Sequence, residues 1–374
     1  MKILVTGANG FVGKNLCAEL RVRGFTEIYE YDIDTNPDLL ELWCSDCEFV
    51  FHLAGVNRSQ NPDDFMNGNF GFTSTLLETL IRNNNKAPVL ITSSIQAEQG
   101  NPYGISKRAG EDLIFSYGRS QGVRTYVFRL ANLFGKWSRP NYNSVVATFC
   151  YNISRDIPIQ ISDPDTIVSF VYIDDVVRTF VDLLEDRQQP ANGDYYSVTP
   201  IHDVSLGRLA ELLEMFADSR SNLVVPKLND PFVKALYSTY LSYLPEDQFA
   251  YDLNTHTDAR GSFTEFLRMP YCGQVSINVS KPGIIKGDHW HHTKVEKFLV
   301  VSGEAVLRFR KLDADEVIEY HVSGDRLRTV DIPVGYTHSI ENVGDTDLVT
   351  VIWANETFDP EHADTYSSPV INSP

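Results

Sequence analysis

Lys2-Ile3-Leu4-Val5-Thr6-Gly7-Ala8-Asn9-Gly10-Phe11-Val12-Gly13 is the stretch from which the rest of the chain can be read. Its first five residues form a mostly apolar run that ends at a glycine, which predicts a buried strand. From Phe11 to Val22 apolar residues return at helical spacing. Glycines 7, 10 and 13 therefore fall where a strand turns into a helix. Without side chains the backbone there can turn tightly and approach a pyrophosphate, and the helix start adds N–H groups and the positive end of its dipole. A glycine motif alone is weak evidence; placed after the first strand of a regular alternation it becomes strong. Gly7, Asn9, Gly10, Phe11, Val12 and Gly13 are expected to bind a nucleotide.

That alternation extends outward. Strands are predicted over 27–32, 47–53, 89–92 and 125–130, with helices over 69–81 and 103–115. The rhythm predicts an α/β, Rossmann-like, doubly wound parallel sheet with helices on both faces. Residues 132–243 mix polar loop (136–143) with helices near 145–155, 174–184 and 205–216, a cap on the same domain. Leu244-Pro245-Glu246-Asp247-Gln248 marks a boundary. Beyond 250, short runs at 274–279, 297–301, 305–310, 317–321, 327–332 and 348–353 are β-branched or alternating, with turn residues between them. They predict an antiparallel sandwich or barrel. The expected domains are 1–245 and 246–374.

The 374 residues carry a formal net charge of −18, which excludes a general nucleic-acid binder, whose partner's phosphates demand Lys and Arg. No run of apolar residues is long enough to span a membrane. The apolar run at the start is too short for a secretory leader. Five cysteines, sparse and odd in number, argue for a reducing, cytoplasmic setting. Cys44-Ser45-Asp46-Cys47 lacks the second pair that a structural zinc site needs, and is read as small residues approaching a strand.

Tyr103 and Lys107 stand four apart on a predicted helix and share one face. A phenol is a poor proton donor and acceptor near neutrality, and a neighbouring ammonium lowers its pKa toward the useful range. Ser94, after the fourth strand, supplies a hydroxyl for a substrate oxygen, with Ser93 as its alternative. Asp32, ending the second strand, would accept hydrogen bonds from ribose hydroxyls and repel a 2′-phosphate, which favours NADH over NADPH.

The landmarks Gly7-x-x-Gly10-x-x-Gly13, His52-Leu53-Ala54-Gly55, Ser93-Ser94, Tyr103-x-x-x-Lys107, Arg129-x-x-Asn132-x-x-Gly135 and Val171-Tyr172-Ile173-Asp174-Asp175-Val176 together resemble the extended short-chain dehydrogenase/reductases, many of which act on nucleotide sugars. The resemblance covers about residues 1–245. It implies NADPH, against the lean of Asp32 toward NADH, held by the glycine loop and by Leu53, Ala54, Gly55, Tyr103 and Lys107, with Ser94, Tyr103 and Lys107 catalytic. It implies a diphosphate contact from Asn132, with Lys136, Arg139, Asn141 and Asn143 as further candidates for the sugar nucleotide. Ser94 and Tyr103 are closer in sequence than in many of these relatives, so a substrate loop that some carry is missing.

In the second half, His289-x-His291 places two imidazoles on one face of a strand. Glu296 and His338 can complete a three-nitrogen, one-oxygen site for Zn, Mn, Fe, Ni or Co, zinc being the first choice. Gly283-x5-His289-x-His291-x4-Glu296-x6-Gly303 and Pro333-x-Gly335-x2-His338-x3-Asn342 resemble the double signature of the cupin jelly roll, with Leu327 standing where that pattern has a glycine. Asp258-x-Arg260-Gly261-x-Phe263-x-Glu265 further resembles cupin-fold epimerases of 4-keto-6-deoxy sugars. Their chemistry implies a base, His289 or His291, and a metal or Lys297 to stabilise the enolate.

A ketone joins the two halves. The whole chain resembles a family of bifunctional capsular polysaccharide enzymes, homodimers in which a cupin epimerises a UDP-4-keto sugar and a reductase finishes it as UDP-2-acetamido-2,6-dideoxy-L-talose. The alternative is a reductase whose cupin is structural or regulatory.

Overall fold

The computed structural model describes residues 1–185, 195–312 and 314–371. The chain divides into two compact units: Met1–Glu214 with Leu228–Pro245, and Met215–Lys227 with Glu246–Pro374.

The first unit contains β1 (Lys2–Thr6), β2 (Glu27–Tyr31), β3 (Phe49–His52), β4 (Val89–Ser94), β5 (Thr125–Leu130), β6 (Asn132–Phe134), β7 (Ile167–Tyr172), β8 (Tyr195–Tyr196) and β9 (His202–Ser205). The main sheet runs β2-β1-β3-β4-β5-β8, every neighbour parallel. Alternate residues divide between two cores. Ile3, Val5, Phe51 and Phe128 pack with Leu16, Leu20, Val176 and Phe180 of helices Phe11–Val22 and Ile173–Asp182. Leu4, Val50, Val89 and Val127 pack with Leu76, Leu80 and Ile114 of helices Phe72–Arg82 and Pro102–Gln121. This two-faced burial is the physical content of a doubly wound sheet. On either side of β1 the chain winds in opposite directions, and crevices open at the carboxyl ends of strands at such a switch point.

The helix Pro102–Gln121 starts where Asn101 accepts a hydrogen bond from the Gly104 N–H (2.7 Å) with proline at its first position, and it stops at Gly122 in the left-handed region (φ 66°). The expected helix over 69–81 is broken: a π-helical turn, Met66–Gly71, precedes the α-helix Phe72–Arg82. Such turns accompany functional sites often enough to be noted, and this one carries the buried Asn69.

The second unit contains β10 (Thr255–Asp258), β11 (Gly261–Met269), β12 (Gly273–Ser280), β13 (Ile285–Trp290), β14 (Glu296–Ser302), β15 (Glu304–Lys311), β16 (Val317–Ser323), β17 (Thr329–Ile332), β18 (Tyr336–Asn342), β19 (Leu348–Ala354) and β20 (Tyr366–Ser367). Two antiparallel sheets, β10-β11-β12-β19-β14-β17 and β16-β15-β18-β13-β20, share one core, in which Phe298, Val300 and Leu348 meet Leu307, Phe309 and Ile340. Residues 215–227 group with this unit because Leu223–Val225 pair with Arg268: the Arg268 N–H donates to the Leu223 carbonyl (2.7 Å) and the Val225 N–H to that of Arg268 (2.8 Å). Among the described residues no helix is long and apolar enough to cross a membrane.

Candidate active site

At the carboxyl ends of β1, β3 and β4 lies a cavity of about 1250 Å³. Its floor is the glycine turn. The Gly7 N–H donates to the Tyr31 carbonyl (2.8 Å), and Gly7 has φ 71°. A Cβ on Gly13 would stand 2.1 Å from the Gly7 carbonyl oxygen, so only glycine lets the helix start this close to the turn. The residues expected around a dinucleotide, Gly7, Asn9, Gly10, Phe11, Val12, Gly13, Asp32, Leu53, Ala54 and Gly55, all line the cavity. Such a backbone cradle fits a pyrophosphate. The Asp32 carboxylate accepts from the N–H groups of Asn9 (2.7 Å) and Ile33 (2.8 Å), which ties β2 to the glycine turn.

Ser94, Tyr103 and Lys107 line the same cavity. The Tyr103 hydroxyl donates to Asn57 Oδ1 (3.3 Å), and Lys107 Nζ donates to the Thr92 carbonyl (3.2 Å) and stands 5.8 Å from the Tyr103 ring centroid. The expected depression of the phenol is not what the free site shows. Burial raises the Tyr103 pKa, while a hydrogen bond with Ser94 opposes the rise. Burial lowers Lys107 to about 8, against the pull of the Glu111 carboxylate. Tyr103 is thus held as a protonated donor. Ser93 is committed elsewhere: its hydroxyl donates to the fully buried Glu111 (2.5 Å), which also takes two hydrogen bonds from Arg129 (2.9 and 2.7 Å).

Of the residues expected at the sugar nucleotide, Asn132, Arg139 and Asn143 line the cavity. Lys136 and Asn141 do not. Lys136 is paired with Asp174, and the Asn141 N–H donates to Thr148 Oγ1 (3.0 Å). Asn57, Thr92, Trp137 and Tyr142 were missed by the sequence reading. The first two contribute from a loop and through a main-chain carbonyl, which leave no signature; the aromatic pair stood out only as large side chains in a polar loop.

In the second unit His289, His291, Glu296 and His338 converge, with one donor atom from each within 4.8 Å of the others. His289 and His338 are register partners on β13 and β18, and Glu296 opens β14 on the other sheet. Glu296 Oε2 lies 3.5 Å from His291 Nε2 and 3.4 Å from His338 Nε2. Burial would raise the Glu296 carboxyl, but the His291 and His338 rings set close against it, with the Lys294 charge, carry it well below its ordinary value. Burial, with the fields of His338 and His291, lowers His289 to about 4. His291 Nε2 and both ring nitrogens of His338 are buried without hydrogen-bond partners. Buried polar atoms left unpaired call for a partner, and three imidazoles and a carboxylate fit a divalent first-row ion.

Lys297 is not part of this group. Strand alternation turns it away from Glu296, and it is exposed and paired with Asp331. Lys294 stands 3.4 Å from Glu296 instead. Arg260 and Lys286 line a separate hollow of about 270 Å³ with Asp258 and Asn278.

Residues 3–198 match the NAD dependent epimerase/dehydratase family, and residues 256–366 match the polysaccharide biosynthesis C-terminal domain. The UDP-2-acetamido-2,6-beta-L-arabino-hexul-4-ose reductase of Pseudomonas aeruginosa is 47% identical over 99% of both chains. The crystal structure of the capsular polysaccharide assembling protein CapF from Staphylococcus aureus superposes with a TM-score of 0.93 at 50% identity, covering 99% of this chain and 100% of that one. A structure of CapF with the inhibitor 3-isopropenyl-tropolone superposes at 0.89, with 47% identity over 99% of this chain and 100% of that one. The chain belongs to the NAD dependent epimerase/dehydratase family and, over its whole length, is a member of the CapF group of capsular polysaccharide assembling proteins.

Proposed function

We propose that the chain is a bifunctional enzyme of UDP-sugar metabolism, divided at 245/246. The C-terminal part epimerises C3 of a UDP-4-keto-6-deoxy-2-acetamido sugar, and the N-terminal part reduces the C4 ketone to give UDP-2-acetamido-2,6-dideoxy-L-talose for capsular polysaccharide. The observation that carries this reading is the gathering of Ser94, Tyr103 and Lys107 in one cavity with the glycine cradle, in a chain similar end to end to a UDP-sugar 4-ulose reductase.

NAD(P)H bound there supplies a hydride. Ser94 and Tyr103 hydrogen-bond the ketone oxygen, and Tyr103 gives its proton to the alkoxide as it forms. The Lys107 ammonium stabilises the phenolate left behind. Asp32 favours NADH, since a 2′-phosphate would meet its carboxylate. Asn132, Arg139 and Asn143 are the proposed contacts to the UDP moiety.

In the second unit His289, His291, Glu296 and His338 hold a divalent ion, zinc by preference, in a cupin site. Bound there, the ion supplies Lewis-acid stabilisation of the enolate. A homodimer and a cytoplasmic location complete the reading.

The test uses UDP-2-acetamido-4-keto-2,6-dideoxyhexose in D2O, first without cofactor and then with NADH or NADPH in turn. Deuterium should enter at C3 without cofactor. His338→Ala should abolish that exchange and Tyr103→Phe should spare it. Tyr103→Phe should cut cofactor oxidation about 10²–10⁴-fold, and the relative rates with NADH and NADPH decide between the lean of Asp32 and that of the family resemblance. Reduction without exchange would leave a single-function reductase.

A further inference from the structure

His291, one of the four converging donors, takes its orientation from a residue 73 positions further along the chain. Its Nδ1 lies 2.5 Å from the Asp364 carbonyl oxygen. A carbonyl only accepts, so Nδ1 carries the proton and Nε2 presents its lone pair to the cluster. The Asp364 carboxylate is engaged too. It accepts from the N–H groups of His292 (2.9 Å), Thr293 (2.7 Å) and Lys294 (2.9 Å), the turn that joins His291 to Glu296. Past Asp364 the chain pairs with the ligand strand as β20, Ser367 opposite His289 and Tyr366 opposite Trp290. The Val370 N–H then donates to Asp288 Oδ1 (2.9 Å), and the buried Arg310 donates to the Pro369 and Val370 carbonyls (2.8 and 2.9 Å).

We propose that residues 364–370 form a clasp on the metal site, with Asp364 as the positioning residue that fixes the proton of His291 and the turn between His291 and Glu296. The proposal rests on the reading of the four side chains as ligands of a divalent ion. The clasp spends two groups of one residue on two tasks: the carbonyl selects the tautomer, and the carboxylate holds the carbonyl in place by gripping the turn. Hydrogen bonds from outside the ligand set tune affinity in this way at metal centres, and losing one weakens binding about 10–100-fold. The clasp also covers the outer edge of the sheet, where β13 would otherwise present unpaired backbone groups.

The experiment measures zinc affinity of the full-length protein by competition with a chromophoric chelator. Asp364→Ala should bind zinc about 10–100-fold more weakly than the parent, and Asp364→Asn, which keeps one acceptor oxygen at the turn, should recover part of the loss. In the metal-free parent, ring ¹⁵N shifts of His291 should report a proton on Nδ1. Equal zinc affinity in parent and Asp364→Ala, or a proton on Nε2, overturns the clasp. The ring measurement needs no variant, so it decides even if Asp364→Ala does not fold. A parent that binds no zinc defeats the metal reading itself, and the clasp with it.

Discussion

Two effects pull the Lys107 proton in opposite directions. Burial lowers it to about 8, and the Glu111 charge resists that fall. Its folded pKa lies below its ordinary value, so the ammonium is present at pH 7 and is lost as pH rises through about 8. We expect kcat/KM for ketone reduction to decline above pH ~8. In Glu111→Gln the support is gone, and the decline should begin at lower pH. Parallel pH–rate profiles of the two proteins check this; coincident profiles would remove Glu111 from the account. Tyr103, Lys107 and Ser94 were legible because helical spacing and position after a strand are local properties. The raised phenol was not, because it depends on how deeply the folded site encloses the ring. Asp364 was invisible for a different reason: nothing in the sequence near His291 announces a partner so far along the chain.

Strands and helices were readable where one residue type dominated. β1 and β5 were expected with the ends they have, because their apolar runs are short and bounded. β18, which carries His338, was not read as a strand, and β13 was read only through the His289-x-His291 pair; it ends at Trp290, so His291 lies just past the strand on which both imidazoles were expected. Glycine, histidine and charge interrupt the alternation in β13, which also slips register between Gly287 and His289 around Asp288 at φ 55°. β18 mixes Thr, His, Ser and Asn at mostly buried positions, so polarity disguises a core strand. The helix Pro231–Leu241 was missed inside a segment read as mixed cap. Lys297 shows the reverse error. The same period of two that turns Glu296 inward was available to place Lys297 outward, and the epimerase resemblance outweighed it. Lys297→Ala should therefore keep zinc affinity and C3 exchange within about twofold of the parent, whereas Glu296→Ala, which removes a proposed ligand, should lose both. Chelator competition and deuterium incorporation measure the pair; a collapse in Lys297→Ala would restore its catalytic role.

At the scale of the molecule, the change from strand–helix rhythm to short strands near residue 250 announced two folding units. It did not announce that residues 215–227 group with the later unit, because the pairing of Val224 with Arg268 joins segments far apart in sequence. The second unit draws its converging donors from both of its sheets, Glu296 from one and His289 and His338 from the other. An ion held there is a rivet through the sandwich. A ligand that binds only the folded form at a thousand times its Kd adds about 4 kcal/mol, so stripping the metal with a chelator should lower the melting of the second unit by ~10 °C. The first unit should melt unchanged. Calorimetry with and without zinc tests this, and an unchanged second transition would deny the rivet. If it holds, the melting point becomes a gauge of metal loading that needs neither sugar nor turnover, and scarcity of zinc would reach the enzyme first as a loss of mechanical integrity.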